Sequence, residues 1–230
     1  ANGDTLWTKT FGGDSSDCGY SVQQTSDGGY IIAGYTYYYF GAGGYDVYLI
    51  KTDPNGALEW SKRFGGNNND YGYSVQQTSD GGYIIVGHTS SYGAGGYDVY
   101  LIKTDANGAL EWTKTFGGSN NDYGYSVQQT SDGGYIIAGY TYSYGAGSGD
   151  VYLVKTTYIR LHSPKGGEIW AGGSEHYIIW DKIYSSLLHH FRLIYSTDGG
   201  LTYPYLIADN VSPTDTSYLW TVPLNNSNTC

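Results

Sequence analysis

The stretch Gly19–Ile32, GYSVQQTSDGGYII, returns letter for letter at Gly72–Ile85 and at Gly124–Ile137. A repeat of this kind governs the fold, because each copy is one structural unit that buries its apolar surface on its neighbours. Working outward, the phrases LWTKTFGG, EWSKRFGG and EWTKTFGG precede the three copies, carrying Trp7, Trp60 and Trp112. Downstream come AGYT, VGHT and AGYT, then a Tyr/Gly-rich stretch, then DVYLIKT, DVYLIKT and DVYLVKT. Identity this high points to recent duplication, so the copies fold alike, and a residue found in all three is not thereby marked as functional.

One unit holds four strand-like runs: YSVQQT (a), YIIAGYT (b), DVYLIKT (c) and LEWTKTF (d). Thr-Ser-Asp-Gly-Gly between a and b, and Asp-x-Asn-Gly between c and d, are hairpin signals, since Asp-Gly and Asn-Gly supply the positive φ of tight turns. Runs b and c are apolar on both faces, as in Tyr83-Ile84-Ile85-Val86 and Val99-Tyr100-Leu101-Ile102, which predicts sheets covered on both sides. No 3.6-residue period is visible, so almost no helix is expected. The expected fold class is all-β: three four-stranded units followed by a small sandwich, with domains at 1–157 and 158–230.

The phrase GGYIIAGYT…GGYDVYLIKTDxNGALEWTKTFGG resembles the propeller repeats of secreted and cell-surface prokaryotic proteins, related to kelch and quinoprotein-type blades. The resemblance covers residues 1 to about 157 and implies one propeller blade per unit. A β-trefoil also holds twelve strands in three units, but its QxW-type signature is absent. The order begins at a d run, Leu6 to Phe11, and ends at a c run, Asp150 to Thr156. An open sheet edge invites pairing, so closure is expected in one of two ways. The first run joins the last unit within the chain, making a three-bladed ring, or it adds to a neighbouring copy, making a filament if the contact does not close. Leu6, Trp7 and Phe11 on one side, and Val151 and Leu153 on the other, are the candidate interface residues. The Tyr-rich b–c loops add Tyr38, Tyr39, Tyr92 and Tyr144, as a subunit contact, a sugar-stacking platform or packing between blades.

From Tyr158 the repeat stops, and alternating runs at Tyr177–Trp180, Phe191–Tyr195 and Ser217–Val222 are separated by Gly/Pro/Asn turns, as in a small sandwich. The words Ser163-Pro-Lys-Gly-Gly-Glu-Ile-Trp170, Ile179-Trp180, Tyr195-Ser-Thr-Asp-Gly-Gly200 and Trp220-Thr-Val-Pro223 resemble the immunoglobulin-like domain of the Ser-Thr-rich, glycosylphosphatidylinositol-anchored family. Tyr203 stands where that family usually has Trp. The resemblance implies an exported protein with an immunoglobulin-like sandwich.

The net charge of −10 argues against nucleic acid and anionic lipid as partners. No apolar run reaches the roughly 20 residues of a membrane-spanning helix, so no membrane insertion is expected. The opening Ala1-Asn2-Gly3-Asp4, without Met, reads as a mature chain after signal cleavage or as an expressed fragment, and an extracellular or cell-surface location is expected.

Few motifs carry chemistry. Ser196–Tyr203 resembles the turn called an Asp-box, which stabilises a hairpin and catalyses nothing. Asp53-Pro-Asn-Gly56 and Asp105-Ala-Asn-Gly108 open like calcium loops but lack the further oxygens and the closing Glu, which leaves hairpin turns. Asp17, Asp70 and Asp122 precede run a, and Asp46, Asp98 and Asp150 precede run c, so all six should rim one end of the units. They are candidate calcium or glycan ligands, with acceptance of loop hydrogen bonds as the plainer role. His88 replaces Tyr35 and Tyr140 and reads as a packing substitution, and no histidine pair has metal spacing. No nucleophile elbow, phosphate loop or selected carboxylate pair is present. Cys18 replaces Tyr71 and Tyr123, and its only partner in the sequence is Cys230, so a disulfide within or between chains is expected. Asn210-Val-Ser and Asn225-Asn-Ser fit the glycosylation pattern. The expectation is a non-enzymatic structural protein that assembles as a homo-oligomer or filament without a cofactor. A glycan-binding adhesin is the alternative, and a hydrolase the second.

Overall fold

In a computed structural model, which describes residues 2–37, 43–157, 161–164, 168–180, 191–195 and 205–224, the chain forms two compact units, Ala1–Thr156 and Thr157–Cys230. The first holds three antiparallel sheets in sequence order. Strands β1 (Asp17–Gln24), β2 (Tyr30–Tyr37), β3 (Tyr45–Thr52) and β4 (Leu58–Phe64) make one meander, and β5 (Asp70–Gln77), β6 (Tyr83–Thr89), β7 (Asp98–Thr104) and β8 (Leu110–Phe116) the next. The third has three strands, β9 (Asp122–Gln129), β10 (Tyr135–Thr141) and β11 (Asp150–Lys155). No helix occurs among the described residues. Each repeat keeps its own sheet, which fits blades and excludes the trefoil.

Turn chemistry sets the meander. In the first a–b turn, the Asp27 carboxylate accepts from the Gly29 amide (2.9 Å) and the Thr25 hydroxyl (2.5 Å), while Gly28 takes φ +87°. In the c–d turn, Asp53 accepts from the amides of Asn55 (2.8 Å) and Ala57 (2.7 Å), an Asx turn with Gly56 at φ +75°. Thus the calcium-like motif serves as a hairpin cap.

Packing uses the period of two. Ile31, Ala33, Val47 and Leu49 face the second sheet and meet Val75, Tyr83, Ile85, Tyr100 and Ile102. The alternate residues of that sheet, Ile84, Val86, Val99 and Leu101, turn to the third and meet Val127, Tyr135 and Ile137. The middle sheet is therefore covered on both sides, as its doubly apolar strands require. Each fully buried aliphatic side chain stabilises by roughly 1.5–3 kcal/mol. A lysine completes the two full units. Lys51 is buried with Asp27 (2.8 Å) and Glu59 (2.9 Å), and Lys103 with Asp80 and Glu111 (both 3.0 Å), tying turn, strand c and strand d together. Burial alone would lower the Lys51 ammonium pKa, but the hydrogen bonds to Asp27 and Glu59 outweigh it and hold it above its ordinary value.

The N-terminal run departs from expectation. Leu6 to Phe11 forms no strand, and β11 has β10 as its one hydrogen-bonded neighbour among the described residues. The three-bladed ring closed within the chain is thereby overturned. The reason is geometric: three units cover part of the circle that four to eight blades fill. The run is nonetheless seated. Trp7 meets Tyr30 at 5.9 Å, as Trp60 meets Tyr83 at 5.8 Å and Trp112 meets Tyr135 at 6.0 Å. Its ring lies over Gly56 as that of Trp60 lies over Gly108. Phe11 borders Ile32, Tyr48 and Ile50. Residues 7–11 thus occupy, on the outer face of the first sheet, the place that strand d of a preceding unit would take.

In the second unit, β12 (Leu161–Ser163), β13 (Glu175–Trp180), β14 (Phe191–Tyr195), β15 (Tyr205–Val211) and β16 (Ser217–Thr221) form two antiparallel sheets, β12-β13-β16 and β14-β15. They share a core of Ile178, Trp180, Val211, Trp220 and Val222, flanked by Leu193 and Tyr195.

Candidate functional site

The junction between blades is written twice in this chain. The Val75 amide donates to Ser21 Oγ (3.2 Å) and the Gln77 amide to Gln23 Oε1 (2.6 Å). At the next junction the Val127 amide donates to Ser74 Oγ (3.3 Å) and the Gln129 amide to Gln76 Oε1 (2.6 Å). In return, the Ser26 amide donates to Gln77 Oε1 (2.8 Å) and the Ser79 amide to Gln129 Oε1 (2.9 Å). Sequence reasoning missed these Ser and Gln side chains, although a signal is present: the Ser and first Gln of YSVQQ alternate along the strand and pair with Ala33 and Ile31, which face the next blade.

Both ends of the row are open. Val99 and Leu101 are fully buried, whereas their counterparts Val151 and Leu153 are 84% and 66% exposed. At the other end Val22 is 64% exposed, against 6% for Val75 and 7% for Val127. Of the sequence-predicted interface residues, those of the expected strand closure lie apart, Leu6, Trp7 and Phe11 on the first sheet and Val151 and Leu153 on the third, and the structure leaves them unjoined.

The six aspartates lie at the loop end, and four of them meet in pairs. Asp46 and Asp70 flank Gly65, and Asp98 and Asp122 flank Gly117. Asp70 accepts from the Gly66 amide (2.8 Å), Ser91 Oγ (2.7 Å) and the Thr89 hydroxyl. Asp122 does the same with Gly118 (2.8 Å), Ser143 (2.6 Å) and Thr141. Asp17 accepts from the Gly13 amide (2.9 Å), and Asp150 lies against Gly145. Desolvation first, and the facing Asp70 carboxylate second, raise the pKa of Asp46, and Asp98 is raised by burial with Asp122 adding to it. No group of three or more metal-ligating side chains converges among the described residues. Tyr92 and Tyr144 act here too, donating to the carbonyls of Gly65 (2.8 Å) and Gly117 (2.7 Å), so each locks its own b–c loop to the connection entering its blade.

A second feature lies along the inner strands. Tyr20, Tyr73 and Tyr125 form a row with ring separations of 4.7 and 5.4 Å, the first and last about half exposed. Behind it, Tyr71, Tyr73, Tyr97 and Tyr123 enclose His88 at 4.8–5.1 Å. Burial pushes the hydroxyls of Tyr71 and Tyr73 up to about 12. The inner tyrosines too were missed in the sequence; their signal is the Tyr-Gly-Tyr pattern at the head of strand a.

Burial holds His88 down at about 4, with Nδ1 unpartnered. An unfolded histidine titrates near 6.5. Between these values the unfolded chain binds the proton and the folded chain does not, so stability is intact above about pH 6.5 and falls as pH drops towards 4. The full difference amounts to about 3 kcal/mol. His88→Tyr, the residue of the sister repeats, should remove this acid sensitivity, as read from urea midpoints at pH 7.5 and 4.5; an unchanged pH slope would contradict the burial argument.

Of the remaining sequence candidates, Cys18 is a free, exposed thiol and Asn210 is exposed on β15, whereas Tyr38, Tyr39, Asn225, Cys230 and the Ser196–Tyr203 turn lie outside the described residues.

A family model described as a domain of unknown function (DUF5122) beta-propeller matches residues 25–59 and 78–111. The two windows each run from the a–b turn through strands b and c into strand d, one in each complete unit. The repeats are of the β-propeller type. No curated protein matches the chain. These blades repeat one junction, and among the described residues Val22 on the first sheet and Val151 and Leu153 on the third stay exposed where their repeat counterparts are buried.

Proposed function

We propose that this chain is a non-enzymatic structural protein of the cell exterior that assembles through its open blade faces by strand addition. One observation carries the reading. Among the described residues, Val151 and Leu153 stand exposed on a strand that is paired on one side, whereas the matching Val47, Leu49, Val99 and Leu101 of the other two sheets are fully buried. A bare apolar edge is an aggregation hazard unless a strand covers it. The β11 edge matches a strand of the d type; of the three such runs, Leu58–Phe64 and Leu110–Phe116 are paired with β3 and β7, and residues 6–11, seated on the first blade, pair with no strand among the described residues. The second unit supports an exported setting through its resemblance to immunoglobulin-like domains of surface proteins. Light scattering coupled to size exclusion, over a hundredfold range of concentration, tests the proposal. Mass that rises with concentration supports it, and a monomer throughout, for residues 1–230, defeats it.

A second reading, glycan binding, draws on the tyrosine row and on the open hollow lined by Asn120, Asn121, Tyr123, Tyr142 and Ser148. Aromatic faces beside amide side chains suit stacking on sugars. Loss of glycan-array signal in Tyr125→Ala and Tyr142→Ala would support it, and silence of the unaltered protein would remove it.

A further inference from the structure

We infer that Tyr20 and Tyr73 form an oxidative modification site, where a one-electron oxidant joins the two rings into a dityrosine that staples the first blade to the second. The inference stands whether or not chains assemble, and it draws on the contact between two adjacent blades alone.

The placement begins in the sequence. Each copy of GYSVQQ opens strand a with a tyrosine, Tyr20, Tyr73 or Tyr125. Strand pairing skips the first two of them. Gly19 opposes Gly34 and Ser21 opposes Ala33, while Gly72 opposes Gly87 and Ser74 opposes Val86, so Tyr20 and Tyr73 are the extra residues of β-bulges. A bulge re-aims the side chain it carries. These two rings meet with centroids 4.7 Å apart and planes at 61°, the shortest separation among the described tyrosine pairs. Tyr73 lies farther from Tyr125, at 5.4 Å. Two rings joined by a single bond of about 1.5 Å have centroids about 4.3 Å apart, so a small side-chain rotation suffices. The backbones beneath are fixed, because the Val75 amide holds Ser21 Oγ and the Gln77 amide holds Gln23 Oε1. Partners held in this way couple in an effectively unimolecular step.

Composition directs oxidants to these rings. The chain carries 28 Tyr and no Met, so the thioether that commonly absorbs oxidation is missing. Tyr20 is half exposed and Tyr73 partly exposed, within reach of a small oxidant. The rings also connect, Tyr20 to Tyr35 at 5.6 Å, Tyr35 to Tyr71 at 5.0 Å and Tyr71 to Tyr73 at 6.4 Å. An electron vacancy on one ring passes to its neighbours until coupling traps it.

The step balances. Each phenol gives one electron to the oxidant and its hydroxyl proton to water. The two phenoxyl radicals form one bond between ring carbons beside the hydroxyls. Those two carbons lose their hydrogens as protons, and the two oxygens each take one up. The net loss is two electrons and two protons, which hydrogen peroxide, working through a peroxidase, accepts and leaves as two waters.

The test uses residues 1–230 with Cys18→Ser and Cys230→Ser, since the exposed Cys18 thiol beside Tyr35 would repair phenoxyl radicals. Dilute protein is illuminated with ruthenium tris-bipyridine and persulfate, which generate a one-electron oxidant. The expected product is a monomer two hydrogens lighter, with dityrosine fluorescence and a proteolytic fragment joining the peptides of Tyr20 and Tyr73. Its urea midpoint should rise, because a cross-link takes entropy from the unfolded chain. Tyr20→Phe and Tyr73→Phe should each keep native circular dichroism and lose both the link and the rise. A monomer without dityrosine, or one linked at 73–125 instead, would overturn the site. The 20–73 link with an unchanged midpoint would overturn the staple while leaving the site standing.

Discussion

Leu101→Ala and Leu49→Ala will each lower the stability of the repeat unit by about 2–5 kcal/mol, whereas Leu153→Ala will change the dilute monomer by less than about 0.5 kcal/mol. All three leucines stand at one position of one repeat, on strand c facing the next blade. Leu49 and Leu101 are fully buried there, between first and second and between second and third sheets. Removing their methyl groups leaves cavities between two rigid sheets that cannot collapse. Leu153 has no next blade and stands largely in solvent. Urea unfolding at low micromolar protein separates the cases. Equal losses at Leu101 and Leu153 would mean that the third face is covered within the chain.

Gly87→Ala is expected to cost about 3 kcal/mol or more, at the upper end of overpacking effects. A Cβ at Gly87 would lie 1.6 Å from the Tyr71 carbonyl oxygen, and Gly34 and Gly139 are crowded alike by Cys18 and Tyr123 at 1.7 and 1.9 Å. The cause is the irregular register between Gly72 and Ser74, which draws β5 close over β6. Neither strand can retreat, because β5 is packed against β2 and β6 against β9. Relief requires breaking the β5–β6 ladder and with it the tyrosine cage around His88. Loss of the near-ultraviolet dichroism of these rings, together with a lowered urea midpoint, is the expected result. A midpoint shift worth under about 1 kcal/mol would show that the strands can part.

The repeat made most of this fold readable. Asp27-Gly28 and Asn55-Gly56 placed the turns, and the doubly apolar Tyr83–Val86 and Val99–Ile102 announced sheets covered on two sides. Adjacent aspartates before strands a and c located the loop end, and His88 was recognisable as a replacement for a packed tyrosine. The N-terminal run was misread for a physical reason. LWTKTF reads as a strand because EWTKTF is one at Leu110–Phe116, but a strand is a property of a pair. Leu110–Phe116 has β7 beside it, and Leu6–Phe11 pairs with no strand among the described residues. The buried Lys51 and Lys103 were hidden for a related reason. A lysine in an apolar strand reads as an edge or an exposed tip until Asp27 and Glu59, from two different turns' neighbourhoods, are seen to converge on it.

Amide hydrogen exchange across a dilution series, followed at residues 6–11 and 150–156 together, tests the central claim most directly. Exchange should be fast at residues 6–11 and at the β11 amides not bonded to β10 in dilute protein, and both sets should become protected over the same concentration range, while β5–β7 stay protected throughout. Protection of one segment without the other, or fast exchange in both at every concentration, would contradict the pairing of the first run with the last blade of a second copy.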